Sequence, residues 1–98
     1  MILVFLVYSL SSSCPILRVL DLSESQFDEE MAELLCGWKI IIRKGDLYKI
    51  KAVNNETRKP PLFQQSLVLL DLRNTKIGIQ GLSTLQHCFK DSLKILQI

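Results

Sequence analysis

The chain has one histidine, His87, and four scattered glycines, none grouped into a phosphate-cradling loop. One imidazole cannot found a histidine metal site, and Cys14, Cys36 and Cys88 lie too far apart for a C-x-x-C ligand pair. His87 and Cys88 are adjacent, so on a helix they point about 100° apart and make a poor catalytic dyad. With no nucleophile, base and orienting acid at workable spacing, no enzymatic activity, metal, cofactor or small-molecule substrate is expected. Three unpaired cysteines read as reduced, mostly buried thiols of an intracellular, cytoplasmic protein.

Long apolar runs are also missing. The longest, Met1 to Leu10, falls short of the roughly 20 residues that span a bilayer. No Lys or Arg precedes it, so the positive start of a signal peptide is absent, although Ser11-Ser12-Ser13 offers small residues near a cleavage site. The run reads as a buried strand in which Leu3, Leu6 and Tyr8 continue a repeating leucine spacing. The alternative is a secretory signal over residues 1–13 and a secreted product.

What remains is a chain of 98 residues, enough for one small domain, with a globular apolar content of 48%. A net charge of +2 is too near neutral to imply nucleic acid by itself. The charge is uneven, however. Asp21, Glu24, Asp28, Glu29, Glu30 and Glu33 form an acidic stretch without a single Lys or Arg. Lys39, Arg43, Lys44, Lys49, Lys51, Arg58 and Lys59 follow, against only Asp46 and Glu56. Solvated faces account for both stretches most simply, and helix N-terminal acids account for Glu29, Glu30 and Glu33. Trp38 and Tyr48 within the basic stretch give the one hint of nucleic-acid contact.

One phrase is written twice. Leu17-x-x-Leu20-x-Leu22 continues to Phe27, and Leu67-x-x-Leu70-x-Leu72 continues to Ile77, fifty residues on. A third copy, Leu93-x-x-Leu96-x-Ile98, closes the chain. Units like these cannot bury their apolar faces alone, which predicts stacking. Val19 to Leu22 alternates as a short strand should. Asp28 is a candidate N-cap, Met31, Leu34 and Leu35 mark a helix face, and Gly37 is a natural stop. In the second unit, Val68 to Leu72 is the strand and Ile79, Leu82, Leu85 and Phe89 mark the helix, with Gly81 costing about 1 kcal/mol of propensity. Lys94 to Ile98 is a further strand.

The middle of the chain has two readings. Leu47-x-x-Ile50-x-Ala52-x-x-Asn55 fits a degenerate unit at half the fifty-residue gap, with Pro60-Pro61 forcing an extended exit. Alternatively, Trp38 to Arg43 and Leu47 to Val53 form a β-hairpin around Lys44-Gly45-Asp46. Both make Leu47 to Val53 a strand.

These residues resemble the leucine-rich repeat superfamily in its long-helix, ribonuclease-inhibitor-like form. Cys14-Pro15-x-Leu17-x-x-Leu20-x-Leu22 is similar to the junction in cysteine-containing repeats of F-box substrate adaptors, and Gln86-His87-Cys88 before Leu93 echoes it. The resemblance covers residues 13–38 and 65–98. Ser25 and Thr75 stand where the regular motif prefers Asn or Cys. The implied fold is an α/β leucine-rich repeat solenoid fragment, with short parallel strands on a concave side and short helices on the convex side. Its single domain divides into a partial N-terminal strand or cap (1–16), a repeat (17–37), the degenerate repeat or hairpin insertion (38–65), a repeat (66–92) and a truncated repeat (93–98).

The resemblance implies a protein–protein interaction scaffold. Its outward positions would be Val19, Asp21 and Ser23, then Leu69, Asp71 and Arg73, then Ile95 and Gln97, with Lys49, Lys51 and Val53 added by a degenerate repeat. Val19, Leu69 and Ile95 would make an apolar column with a polar rim, as expected of an interface. The partner protein is unnamed by these residues. A substrate-recognition piece of a ubiquitin-ligase adaptor is one alternative. A basic surface over residues 39–59 for nucleic acid or an acidic membrane is another, and a weaker one. Leu93, Ile95 and Ile98 would leave an open edge, so a marginal fold or oligomerisation through that end is expected.

Overall fold

The computed structural model describes residues 2–54, 56, 58, 60–63 and 66–98. Met1, Asn55, Lys59 and Gln65, used in the sequence reading, lie outside the described residues. The fold is mixed α/β, with three helices and five strands among those residues and no closed barrel. In chain order the elements are α1 (Ile2–Ser13), β1 (Val19–Asp21), α2 (Glu29–Leu35), β2 (Lys39–Lys44), β3 (Leu47–Ala52), β4 (Leu69–Asp71), α3 (Ile79–Cys88) and β5 (Ile95–Gln97).

The repeated phrases become a parallel sheet in the order β1-β4-β5. Its register aligns Val19, Leu69 and Ile95, then Leu20, Leu70 and Leu96, then Asp21, Asp71 and Gln97. Hydrogen bonds beyond the strands repeat between neighbours. Leu22 N–H donates to Asp71 O (2.9 Å) as Leu72 N–H donates to Gln97 O (2.8 Å). Leu20 and Leu22, with Leu70 and Leu72, are buried on the inner side. There they join Phe27, Leu34, Leu35, Leu67, Leu85 and Phe89 in one core. Removing such side chains from water stabilises by roughly 1.5–3 kcal/mol each, which compensates for strands only three residues long.

Helices α2 and α3 pack side by side on the other face of that core. Asp28 caps α2, its carboxylate accepting Met31 N–H at 3.0 Å, and Glu29 and Glu30 sit in the first turn where the helix dipole favours them. Gly37 ends α2 at φ 81°, a backbone region that suits glycine. Gly81 in α3 is buried, and a Cβ there would meet Ile77 Cγ1 at 2.8 Å. The missing side chain thus lets α3 approach the preceding turn. Ile79, expected on the apolar face of α3, is instead 84% exposed. On an ideal helix it lies about 120° from the buried Leu85, so its place at the helix start turns it outward.

The N-terminal run departs from expectation. It is the helix α1, not a strand. Val4 and Val7 are buried and Leu3, Tyr8 and Leu10 pack against the core, which is a helical stripe. Nearly every residue of the run is apolar, so the sequence offers no contrast between faces from which to read the period. No helix among the described residues is long and apolar enough to cross a membrane.

The middle of the chain is the hairpin. β2 and β3 pair antiparallel, from Lys39 opposite Ala52 to Lys44 opposite Leu47, with Gly45 at φ 60° in the turn. The degenerate-repeat reading falls, because neither strand joins the parallel sheet and Leu47 and Ala52 are exposed where that reading buries them. The cause lies in the alternation of Lys49 and Lys51 with apolar residues, a two-residue period that an exposed ribbon satisfies without further partners. Residues 60–63 then return the chain to the core. Leu62 N–H bonds Leu35 O at 2.8 Å, and Phe63, 3% exposed, plugs the core at φ 56°.

Candidate partner-binding face

The outer face of the parallel sheet collects the candidate residues. Register places Val19, Leu69 and Ile95 in one row, strands being about 4.8 Å apart. Val19 is 57% and Ile95 47% exposed, while Leu69 between them is half-buried. Lys49, Lys51 and Val53 do not extend the row, since the hairpin stands outside this sheet.

The next positions fold into matching turns. Asp21 Oδ1 accepts Ser23 N–H at 2.9 Å and the Ser23 hydroxyl at 2.6 Å. Asp71 Oδ1 accepts Arg73 N–H at 3.1 Å. Three residues after each strand, Glu24 and Asn74 adopt φ 60° and 58°. Ser25 and Thr75 then donate their hydroxyls back to Leu22 O and Leu72 O, at 2.5 and 2.7 Å. A hydroxyl at this position therefore satisfies a turn carbonyl, which explains why Ser and Thr can stand there.

The electrostatics of the two turns differ. Arg73 lies across Asp71, donating from Nε to both carboxylate oxygens (3.0 and 3.2 Å) and from Nη2 to Oδ2 (2.7 Å). Asp71 is left 4% accessible by this local cover, whereas the Arg73 side chain stays 57% exposed. The forked hydrogen bonds hold the Asp71 carboxyl below the usual range and push Arg73 up. The Asp21 carboxyl is held low chiefly by the Ser23 hydroxyl, against repulsion from Asp71. Asp21 Oδ2 has no hydrogen-bond partner among the described residues. The face thus offers an apolar row bordered by a fixed guanidinium and an accessible carboxylate.

Away from this face, Lys39 bridges Glu30 (3.7 Å) and Glu33 (3.5 Å). His87 is exposed, its ring beside Trp38. Among the described residues no three His, Cys, Asp or Glu side chains come together to hold a metal. The cysteines are free but not uniformly buried: Cys36 is buried, Cys88 half-buried and Cys14 exposed, against the expectation of mostly buried thiols. Cys14 lies just beyond the end of α1 and ahead of β1, where no core element covers it. Burial pushes both the Cys36 and Cys88 thiols up.

Sequence reasoning missed Glu24 as a left-handed turn residue, because only the paired geometry with Asn74 identifies the position. It also missed the partly exposed contact of Phe5 with Tyr48, which depends on α1 being a helix. Comparison with protein-family models, curated proteins and solved structures found no match.

Proposed function

We propose that the chain is a protein-binding scaffold of leucine-rich repeat type, in which the units 17–37, 66–92 and 93–98 stack as a short solenoid and the outer sheet face is its concave recognition surface. The observation that carries this is the stacking in register of Val19, Leu69 and Ile95, flanked by the matched Asp21 and Asp71 turns. An exposed apolar row with a polar rim suits a binding surface better than a solvated one. Rigidity supports the same reading, since both turns are fixed by backbone and side-chain hydrogen bonds and would lose little entropy on binding. The half-paired Asp21 favours a partner segment that brings a basic group beside apolar side chains. In this reading the hairpin is an insertion between two neighbouring repeats.

A photo-crosslinking amino acid at position 19 or 95 should give the same discrete adduct in cell extract, and one at Ser83 on the exposed side of α3 should not. Asp21→Lys, at an exposed position, should abolish the adduct while leaving the circular dichroism spectrum intact. Equal yields from positions 19 and 83 would overturn the reading.

A further inference from the structure

The hairpin is a second surface with its own chemistry. Residues directly opposite one another share a face of a two-stranded ribbon. Ile41 and Ile50 pack against the core, so their face, which also carries Arg43 and Tyr48, is the inner one. The outer face therefore pairs Ile40 with Lys51, Ile42 with Lys49 and Lys44 with Leu47. Three lysines alternate there with three aliphatic side chains. None of these lysines forms an ion pair among the described residues, and Asp46 is the one acid in β2, β3 and the turn between them. Leu47, beside the turn, is 74% exposed. An open groove of about 420 Å³, lined by Ile42, Lys44, Leu47, Tyr48 and Lys49, lies at this end.

The inner face of the tip meets α1 instead. The Phe5 ring meets Tyr48 edge-on with centroids 4.8 Å apart, and Phe5 and Leu6 are 39% and 51% exposed. We propose that the outer face of this hairpin tip docks on an anionic lipid surface. Charge complementarity selects that occupant: unpaired lysines attract lipid headgroups, their stems lie along apolar surface, and the exposed Leu47 enters the interfacial layer. Single-stranded nucleic acid fits less well, because its bases need open aromatic faces. Tyr48 is taken by Phe5 and by Arg43, whose guanidinium lies 5.6 Å from its centroid, and Arg58 lies over Trp38 at 4.3 Å.

Flotation of the full chain with vesicles tests this. It should rise with phosphatidylcholine vesicles containing phosphatidylserine, stay behind with phosphatidylcholine alone, and release at high salt. Each lysine near such a surface contributes about a fivefold factor in partitioning, so replacing Lys44, Lys49 and Lys51 together with Gln should weaken binding about 100-fold. A Leu47→Trp variant should shift its emission to the blue on the anionic vesicles. Asp71→Ala, on the parallel sheet, should float like the parent, which separates this surface from the scaffold reading. Equal binding to both vesicle types, or undiminished binding of the triple Gln variant with an unchanged circular dichroism spectrum, would overturn the proposal. So would capture by single-stranded polyuridylate without any flotation, which would assign the lysines to nucleic acid.

Discussion

The two sheets of this protein invert the usual relation between strand length and importance. The strands of the hairpin are six residues long and fully paired, yet none of their residues is completely buried. Those of the parallel sheet are three residues long, yet Leu20 and Leu70 on them are 5% and 0% exposed. Regular hydrogen bonding is therefore no measure of what a strand contributes here. What counts is whether its side chains are covered, and the parallel strands are covered by α2, α3, Phe27 and Phe63. The sharpest break of this contrast is a pair of truncations. Leu70→Ala should cost about 2–5 kcal/mol, and Ile42→Ala on the hairpin about 1 kcal/mol or less, as read from urea unfolding. Equal losses would mean that the hairpin belongs to the core after all.

The same contrast can be sharpened at the edges of the covering elements. Asp28→Ala removes the one side-chain cap of α2 and should cost about 1 kcal/mol in the same assay. Asp46→Ala, in the exposed hairpin turn, should change unfolding by no more than about 0.5 kcal/mol. Effects of opposite sign are expected at the matched turns. Glu24 holds a left-handed conformation without the local tolerance that asparagine has, and Asn74 is the asparagine of the pair. Glu24→Asn should therefore stabilise, and Asn74→Glu destabilise, each by about 0.5–1 kcal/mol.

How far these features could be read in advance follows the same division. The three strands of the parallel sheet, the helix starting after Asp28 and the stop at Gly37 were legible, because leucines at spaced positions, a capping acid and a glycine each have one dominant structural use. The hairpin stood equal with a repeat unit, since Leu47, Ile50 and Ala52 satisfy a strand in either reading and only tertiary placement separates them. Helix α1 was misread because a run with almost no polar residue carries no period. The candidate face depended on register, which the repeats did supply for Val19, Leu69 and Ile95. The guanidinium over Asp71 did not follow from spacing, because Arg73 and Ser23 occupy equivalent positions and both reach back to their aspartate, but only the guanidinium spans both carboxylate oxygens.

That last difference makes the two units a matched experiment in electrostatics. Asp21 and Asp71 have the same register, turn and direction of pKa shift, but different causes. A carboxyl held low by the fold stabilises it above the ordinary pKa, and that contribution fades as pH falls through the lowered value, here below about pH 4. Both residues should therefore contribute to acid sensitivity, and Asp71→Asn should flatten the stability curve in that range. Salt should separate them. The Asp71–Arg73 pair is charge on charge at the surface, so screening should bring the Asp71 carboxyl back up toward its ordinary value. Asp21 is held by a neutral hydroxyl, and the charge it feels most is the repulsion of Asp71, so screening should leave it in place or lower it slightly. Carboxyl-carbon NMR titrations at low and high salt read both sites in one sample. A parallel rise of the two would mean that Ser23 does not hold Asp21, and that one field from Arg73 governs both units.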